Sequence, residues 1–458
     1  MSRFLIAAAH KSSGKTVVST GLARALALRG RKVQAFKKGP DYIDPMWLAA
    51  ASGRPCYNLD FNTMTADELV TLHVSRARGA DISLIEANKG LYDGVDLRGA
   101  DSNAALARLL SAPVVLVVDT GGMTRGIAPL LQGYVGFDDT VHVAGVILNK
   151  VGGPRHESKL RAAVEAYTDL PVLGAVWRNP DLEIGERHLG LTTPAEEGHV
   201  DRKIATFASI MEDSIDLDAL CSLADAAPAL RANVPVGRTP GKRELRIGIA
   251  RDTAFGFYYP DDLEAFARAG ADLVPFDTLR DARLPDVDGL FIGGGFPEMR
   301  MAELSRNHAM RRAIRTAILG GMPAYAECGG LMYLCESLSW RGKVLPMVGI
   351  VPGIAQMHDR PQGRGYAVFS TTPSHPWEPE GQTVKAHEFH YAAITGLPEG
   401  LQYGRTIQRG AGIDGRHDAV VLHNLVAGFC HLRNSPSHRW VAHFVDFVRR
   451  RKRGGTRK

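Results

Sequence analysis

Apolar residues fall in short unbroken runs along the chain, separated by polar, glycine-bearing stretches. Phe4–Ala9, Val33–Phe36, Ile82–Glu86, Val114–Asp119 and Val143–Leu148 are each of strand length, and Pro171–Val176 continues the series. Helix-length segments such as Thr16–Leu28 and Asn103–Leu110 lie between them. Runs without alternation suit strands buried on both faces, and strands alternating with helices build a parallel sheet covered on both sides. From Ala224 to Arg243 the pattern dissolves into Ala-Ala-Pro, Val-Pro-Val-Gly and Thr-Pro-Gly-Lys, the composition of a linker. A second series restarts at Leu245–Ala250 and runs through Leu273–Pro275 and Gly289–Ile292 to Ala324–Ala326, with helical stretches at Asp261–Ala269 and Met310–Leu319. The pattern predicts an α/β protein of two doubly wound domains, 1–223 and 244–448, joined by a linker at 224–243 and followed by a basic tail at 449–458.

Composition changes this picture little. With 458 residues, 45% of them hydrophobic, the chain has material for separate cores. Its net charge of +6 comes from the end: the last ten positions hold seven basic residues, and the remainder carries −1. That tail predicts a frayed, solvated terminus, with no nucleic acid or membrane as partner. The cysteines (Cys56, Cys221, Cys328, Cys335, Cys430) form neither a disulfide framework nor a CxxC pair, which argues against zinc and for a soluble, reduced, cytoplasmic protein.

Two motifs bring in chemistry. Ala9-His-Lys-Ser-Ser-Gly-Lys-Thr16 ends as a P-loop does and has a strand before it and a helix after it. Backbone amides from Ser13 and Gly14 would meet phosphates at the helix N-terminus, Lys15 would offset their charge, and the Thr16 hydroxyl could ligate Mg²⁺, so ATP with Mg²⁺ is expected here. Carboxylates at strand ends are candidates for metal or substrate, because ligands of open α/β sheets bind beyond the carboxyl ends of the strands. They are Asp41 and Asp44 in Gly39–Pro45, Glu86, Asp93 in Gly90–Gly94, and Asp119 as a Walker-B-like acid. Asn149-Lys150 offers either a base-recognition corner, with Asn149 reading the nucleotide, or a cap.

The second motif is Ala324-Tyr-Ala-Glu-Cys-Gly-Gly-Leu-Met-Tyr-Leu334. Cys328 stands between an apolar run and a helix-like stretch, as a nucleophile does at a strand-to-helix elbow, where the helix N-terminus favours the thiolate. Cys335 fits a buried structural cysteine instead. Gly293-Gly-Gly-Phe-Pro-Glu298 follows a strand, so amides of Gly294 and Gly295, with that of Gly329 behind the cysteine, could hold an oxyanion. Of sixteen histidines, His431 is the leading candidate base, with His387 and His390 in Ala386–Tyr391 as rivals that could equally contact substrate.

Together with Glu186-Arg-His-Leu-Gly-Leu191, these stretches resemble, in order, the cobyrinate/hydrogenobyrinate a,c-diamide synthase family over nearly the whole chain. The resemblance implies a dethiobiotin-synthetase-like P-loop domain followed by a flavodoxin-like class I glutamine amidotransferase domain. It implies amidation of acetate side chains of a modified tetrapyrrole, with L-glutamine as donor and an acyl phosphate intermediate, and it allows a homodimer. By position, Cys328 would be the nucleophile and His431 its base. Lys15, Thr16 and Glu86 would bind Mg-ATP, with Asp41 also a candidate metal ligand. Asp41, Tyr42, Ile43 and Asp93 would lie near the activated carboxylate. One feature departs from the class I pattern, as it does in this family generally, and another departs from the family's own. Class I enzymes usually place a Glu two residues after the histidine, where this chain has Arg433. Ala87-Asn-Lys89 replaces the usual Gly-Val-Met, and Lys38 adds a cation. These lysines look more like the sirohaem-amidating branch, in which Lys89 would meet an additional substrate carboxylate. A reading from another class is a regulatory P-loop ATPase whose cysteine domain is vestigial.

Overall fold

In the computed structural model, which describes residues 1–187, 190–232, 234 and 243–455, the apolar runs become strands. The chain divides into two units, Met1–Pro235 and Val236–Lys458. Residues 233 and 235–242 of the expected linker, and His188 and Leu189 of the Glu186–Leu191 stretch, lie outside the described residues. The expected linker also begins inside a helix, Leu217–Asp225.

The first unit is built on β1 (Ser2–Ala8), β2 (Val33–Lys38), β3 (Tyr57–Leu59), β4 (Ile82–Glu86), β5 (Val114–Asp119), β6 (Val143–Val151) and β7 (Val172–Trp177). They form one seven-stranded sheet in the order β3-β2-β4-β1-β5-β6-β7, parallel throughout. Burial along β1, β2 and β4 is continuous, so neither face of the sheet meets solvent there. Helix α1 (Lys15–Leu28) follows β1 directly, and α2 (Ile43–Ser52) follows β2. A third helix, α3 (Val200–Ser214), crosses α1 at Gly21, where a methyl group would come within 2.5 Å of Met211 Cγ and 2.8 Å of the Phe207 carbonyl.

In the second unit, β8 (Leu245–Ala250), β9 (Ala271–Phe276), β10 (Gly289–Ile292) and β11 (Ala324–Glu327) lead to helix α4 (Gly329–Leu334). They are followed by β12 (Gly363–Thr371), β13 (Thr383–His390), β14 (Gln402–Arg409), β15 (His417–Leu422) and β16 (Leu425–Gly428). The nine-stranded sheet runs β9-β8-β10-β11-β16-β15-β14-β12-β13. Its first five strands are parallel, in the order expected of a flavodoxin-like sheet, and the rest are antiparallel. That extension, and a separate four-stranded sheet made of 335–340, 343–346, 351–357 and 392–395, were not expected from the sequence. Strands such as β13 and β14 mix exposed and buried positions and carry His, Gln, Arg and Lys, which hides them from a search for apolar runs.

The basic tail needs correction. Helix α5 (Trp440–Gly455) carries through most of it. Arg449 donates to the Ala269 carbonyl at 2.7 Å and Lys452 pairs with Asp288 at 2.9 Å, so these cations are tied to the unit rather than frayed. No described helix is long and apolar enough to cross a membrane.

The tight α1–α3 crossing generates a prediction. Gly21→Leu should destabilise the first unit by about 1–3 kcal/mol through overpacking, read as a lower urea midpoint; an unchanged midpoint would show that the helices part without cost.

Candidate functional site

At the end of β1 the chain turns into α1 through Ser12 (φ 61°) and Gly14 (φ 86°), both left-handed. Glycine is needed at 14 for a second reason, because a methyl group there would lie 2.3 Å from Asn149 Nδ2. Asn149 donates from that nitrogen to the Ser13 carbonyl at 2.8 Å, and Lys150 donates to the Ser12 carbonyl at 2.9 Å. Asn149, a candidate for either a base-recognition corner or a cap, thus braces the loop from within. Ser13 is buried, and its hydroxyl binds the His10 carbonyl at 2.8 Å, so the side chain shapes the loop. Lys15 is buried as well. Burial first, and repulsion by Lys37 second, lower its pKa to about 8 against the pull of Glu86, Asp44 and Asp93. An anionic phosphate beside Lys15 would relieve that burden.

The centre of this site is a residue the sequence reading passed over. Lys37, 2% exposed, puts its ammonium 2.5 Å from Asp44 Oδ2, 2.5 Å from Glu86 Oε1 and 4.0 Å from Asp41 Oδ2. Burial opposes its charge, but the three carboxylates outweigh burial and raise its pKa. Glu86 is raised, by burial first. Asp44, despite burial, is lowered by Lys37. The signal was present in Phe36-Lys-Lys38, where the strand's carboxyl end carries a lysine among buried neighbours.

Glu86, rather than Asp119, is the acid at the P-loop: the Thr16 hydroxyl donates to Glu86 Oε1 at 3.2 Å. Asp119 pairs with Lys150 at 2.8 Å and accepts from the Gly121 amide. Thr16 and Glu86 fit Mg²⁺. They are hard oxygen donors, and Glu86 Oε2 is buried with no hydrogen-bond partner. Mg²⁺ usually takes one or two carboxylates and fills its remaining positions with phosphate and water. Asp41 reaches the cluster through Lys37, while its Oδ1 accepts from the Ile43 and Asp44 amides at the start of α2. Tyr42 and Ile43 lie at that same turn. Asp93 accepts from the Gly90 amide at 2.9 Å and lies within electrostatic reach of Lys15. Lys89 is exposed at φ 46°. Lys38 is buried, and its pKa is lowered by burial first and by Lys89 among its charged neighbours.

In the second unit, Cys328 forms the elbow between β11 and α4 with φ 48° and ψ −103°, a conformation L-residues rarely hold. Close approach of the backbone makes it possible. A methyl group at Gly330 would lie 2.1 Å from the Ile292 carbonyl oxygen, and one at Gly329 would lie 3.0 Å from the Gly295 nitrogen. One at Gly294 would come within 2.7 Å of His431 Cε1. The glycines expected to form an oxyanion pocket therefore gather beside Cys328 and His431. Burial opposes charge on His431, but hydrogen bonds to Cys328 and Glu327 outweigh it and raise its pKa to about 10. The imidazolium form of His431 is thus favoured beside Cys328.

The rival histidines have other places. The His387 ring stacks on that of His431 at 4.8 Å and 12°, and the two backbones pair. Burial first, then the charge on His431, pushes its pKa well below the usual value, so it packs as a neutral ring. His390 stacks on Phe429 at 3.7 Å and bonds the Ala392 carbonyl at 2.7 Å. Cys335 is fully buried, and burial raises its pKa, as suits a structural thiol. Glu327, 3.4 Å from His431 Nδ1, escaped notice although it adjoins Cys328 in sequence. Among the described residues no group of three or more His, Cys, Asp or Glu side chains is arranged to hold a metal.

The two halves differ in kinship as in geometry. Residues 4–191 match the CobQ/CobB/MinD/ParA nucleotide binding domain, and residues 246–437 match the CobB/CobQ-like glutamine amidotransferase domain. A Magnetococcus marinus protein named cobyrinate a,c-diamide synthase is 45% identical over 98% of this chain and 97% of its own length. Proteins of the same name from Methanosarcina acetivorans (39% identical; 94% of this chain, 92% of the relative) and Archaeoglobus fulgidus (38%; 98% of each) are similar along their length.

Breaking a buried pair leaves an uncompensated charge, whereas a half-exposed pair contributes little. Lys37→Met should therefore lower stability by about 3–5 kcal/mol, and Lys150→Met, whose partner is Asp119, by about 1 kcal/mol or less. Urea unfolding of both variants checks this, and equal losses would refute it.

Proposed function

Because the chain belongs to the cobyrinate a,c-diamide synthase family of glutamine-dependent amide ligases, we propose that it amidates the a and c acetate carboxylates of cobyrinate or hydrogenobyrinate. The observation that carries the reading is the strained Cys328 beside a His431 raised to about 10, on a chain that also holds a buried P-loop lysine.

The first half-reaction uses the second unit. The Cys328 sulfur attacks the side-chain carbonyl carbon of glutamine, and amides of Gly294, Gly295 and Gly329 meet the oxyanion. The His431 imidazolium gives its proton to the leaving nitrogen, ammonia departs, and water then splits the thioester to release glutamate. The second half-reaction uses the first unit. A substrate carboxylate attacks the ATP γ-phosphorus, forming an acyl phosphate and ADP; ammonia displaces phosphate from the acyl carbon and leaves the amide.

Lys15 offsets the phosphate charge. Thr16 and Glu86 would hold Mg²⁺, which when bound draws charge from the phosphate oxygens. Asp41, Tyr42, Ile43 and Asp93 would line the acyl site. Lys37 stands among the carboxylates there and can pair with an incoming one. The adjacent cations Lys38 and Lys89 support keeping sirohaem among the substrates assayed.

The test is to incubate the protein with ATP, glutamine and, in turn, cobyrinate, hydrogenobyrinate and sirohaem, and to count amides by mass spectrometry. Two amides on either corrinoid precursor are expected; amides on sirohaem alone would move the substrate assignment, and none on any would overturn the reading. Cys328→Ser should lower glutamine-driven synthesis about 10³-fold or more and leave ammonia-driven synthesis unchanged. Lys15→Ala should cost about a hundredfold or more with either donor while glutamine hydrolysis persists. Equal losses in both variants with both donors would contradict separate sites.

A further inference from the structure

His431 must keep one ring position toward Cys328, and residue 433, which follows it by two, gives no help. Arg433 is turned away, bonded to Asp261 Oδ2 at 2.7 and 3.1 Å and lying 4.3 Å over the Tyr259 ring. What faces His431 instead is Glu327, whose Oε2 lies 3.4 Å from Nδ1.

Glu327 is itself held. Residues two apart on a strand share a face, and on β11 this brings the Tyr325 hydroxyl to Glu327 Oε1 at 2.7 Å. The same oxygen accepts from the amide of Leu432, next to His431, at 2.8 Å. Oε2 is thereby left to the imidazole. The Tyr325 hydroxyl accepts from Arg405 Nη2 at 3.1 Å. Arg405 Nη1 donates to Asp418 at 3.1 Å and to the Cys430 carbonyl at 3.3 Å. Asp418 accepts from the amides of Phe429 (2.8 Å) and Cys430 (3.3 Å). Tyr325, Glu327, Arg405 and Asp418 are all at most 2% exposed. The chain of bonds ends on Glu327 at one side and, at the other, on the backbone of Phe429 and Cys430 that leads into His431.

We propose that Glu327 is the residue that orients His431 and stabilises its positive charge, and that Tyr325, Arg405 and Asp418 fix Glu327 in that place. The inference rests on Cys328 and His431 being the glutamine-splitting pair. Glu327 and Asp418 balance His431 and Arg405, so the buried set is neutral when His431 is an imidazolium. Among the described residues, other groups that face His431 include Cys328 and the neutral ring of His387, with Arg433 near His387. None of these can supply the negative charge that Glu327 does before the thiolate forms. Glu327 is thus a positioning residue, acting through His431.

The experiment is the pH dependence of glutamine hydrolysis in Glu327→Gln, Glu327→Asp and Tyr325→Phe. Glu327→Gln keeps the shape and removes the charge. It should lower kcat by about 10²–10⁴-fold, leave KM for glutamine nearly unchanged, and leave ammonia-driven amidation intact. Its basic limb should move to lower pH, because an imidazolium without its carboxylate loses its proton sooner. Glu327→Asp should recover at least tenfold over Gln, and Tyr325→Phe should shift the basic limb in the same direction by less. An unmoved basic limb in Glu327→Gln, or no difference between Asp and Gln, overturns the proposal. If Glu327→Gln loses ammonia-driven synthesis too, it has misfolded and Tyr325→Phe decides, an unmoved limb again overturning the proposal. Intact glutamine use in Cys328→Ser would instead overturn the assignment of the site itself.

Discussion

A charge taken out of water must meet an opposite charge, and both candidate sites are organised by that requirement. In the first unit the Lys37 ammonium joins Asp44 and Glu86, and through them the ends of β2 and β4 and the start of α2. Thr16 at the head of α1 is tied to the same Glu86. The P-loop helix, two central strands and the Asp41–Asp44 turn therefore share one ionic cluster. Removing water from it strengthens each attraction and makes each missing partner costly, so the geometry is held before any ligand arrives. In the second unit Arg405 does comparable work for the segment that leads from β16 to His431.

The location of strain follows the same lines. Ser12, Lys89 and Lys150 are left-handed without being glycine, and they stand at or just beyond the carboxyl ends of β1, β4 and β6. Cys328 does so after β11. Each such residue costs about 1–3 kcal/mol and persists only where its surroundings over-determine it. Here the surroundings are nameable: Asn149 and Lys150 clamp the P-loop carbonyls, and the Gly330–Ile292 approach leaves the elbow no room to relax. Among the described residues these are four of the eight non-glycine positions at positive φ, and they stand at the strand ends where an open parallel sheet binds ligands, whereas Ser111, Arg341, Ala419 and His423 lie elsewhere.

What the sequence made legible was local. The P-loop and the cysteine elbow each need a strand, a turn and a helix in succession, and a reader of Ala9–Thr16 or Ala324–Leu334 sees all three. The parallel cores were legible because continuous burial writes continuous apolar runs. Features that depend on pairing across the fold were not. Lys37 reads as one more cation until β4 brings Glu86 beside it. Asn149 reads equally as a base contact or a cap until the P-loop carbonyl that it braces is in view. The antiparallel strands β12 to β15 escaped because half-exposed strands admit polar residues, and the last turns of α5 escaped because a run of basic residues looks solvated when Ala269 and Asp288 are not in view.

The missing acid after His431 illustrates how a site can keep its electrostatics while changing its residues. A carboxylate beside an imidazole need only supply negative charge at one ring nitrogen with a fixed direction. Position 433 could supply it from the same segment, but Arg433 serves instead to anchor that segment to Asp261 and the Tyr259 ring. Glu327 reaches the imidazole from the neighbouring parallel strand, since β11 pairs with β16 and sets Glu327 opposite Gly428, three residues before His431. The same pairing fixes the elbow, because the Cys328 amide bonds the Gly428 carbonyl at 2.8 Å. Cys328, His431 and Glu327 thus depend on one strand register. A one-residue slip would put Glu327 on the other face and lose all three relations together.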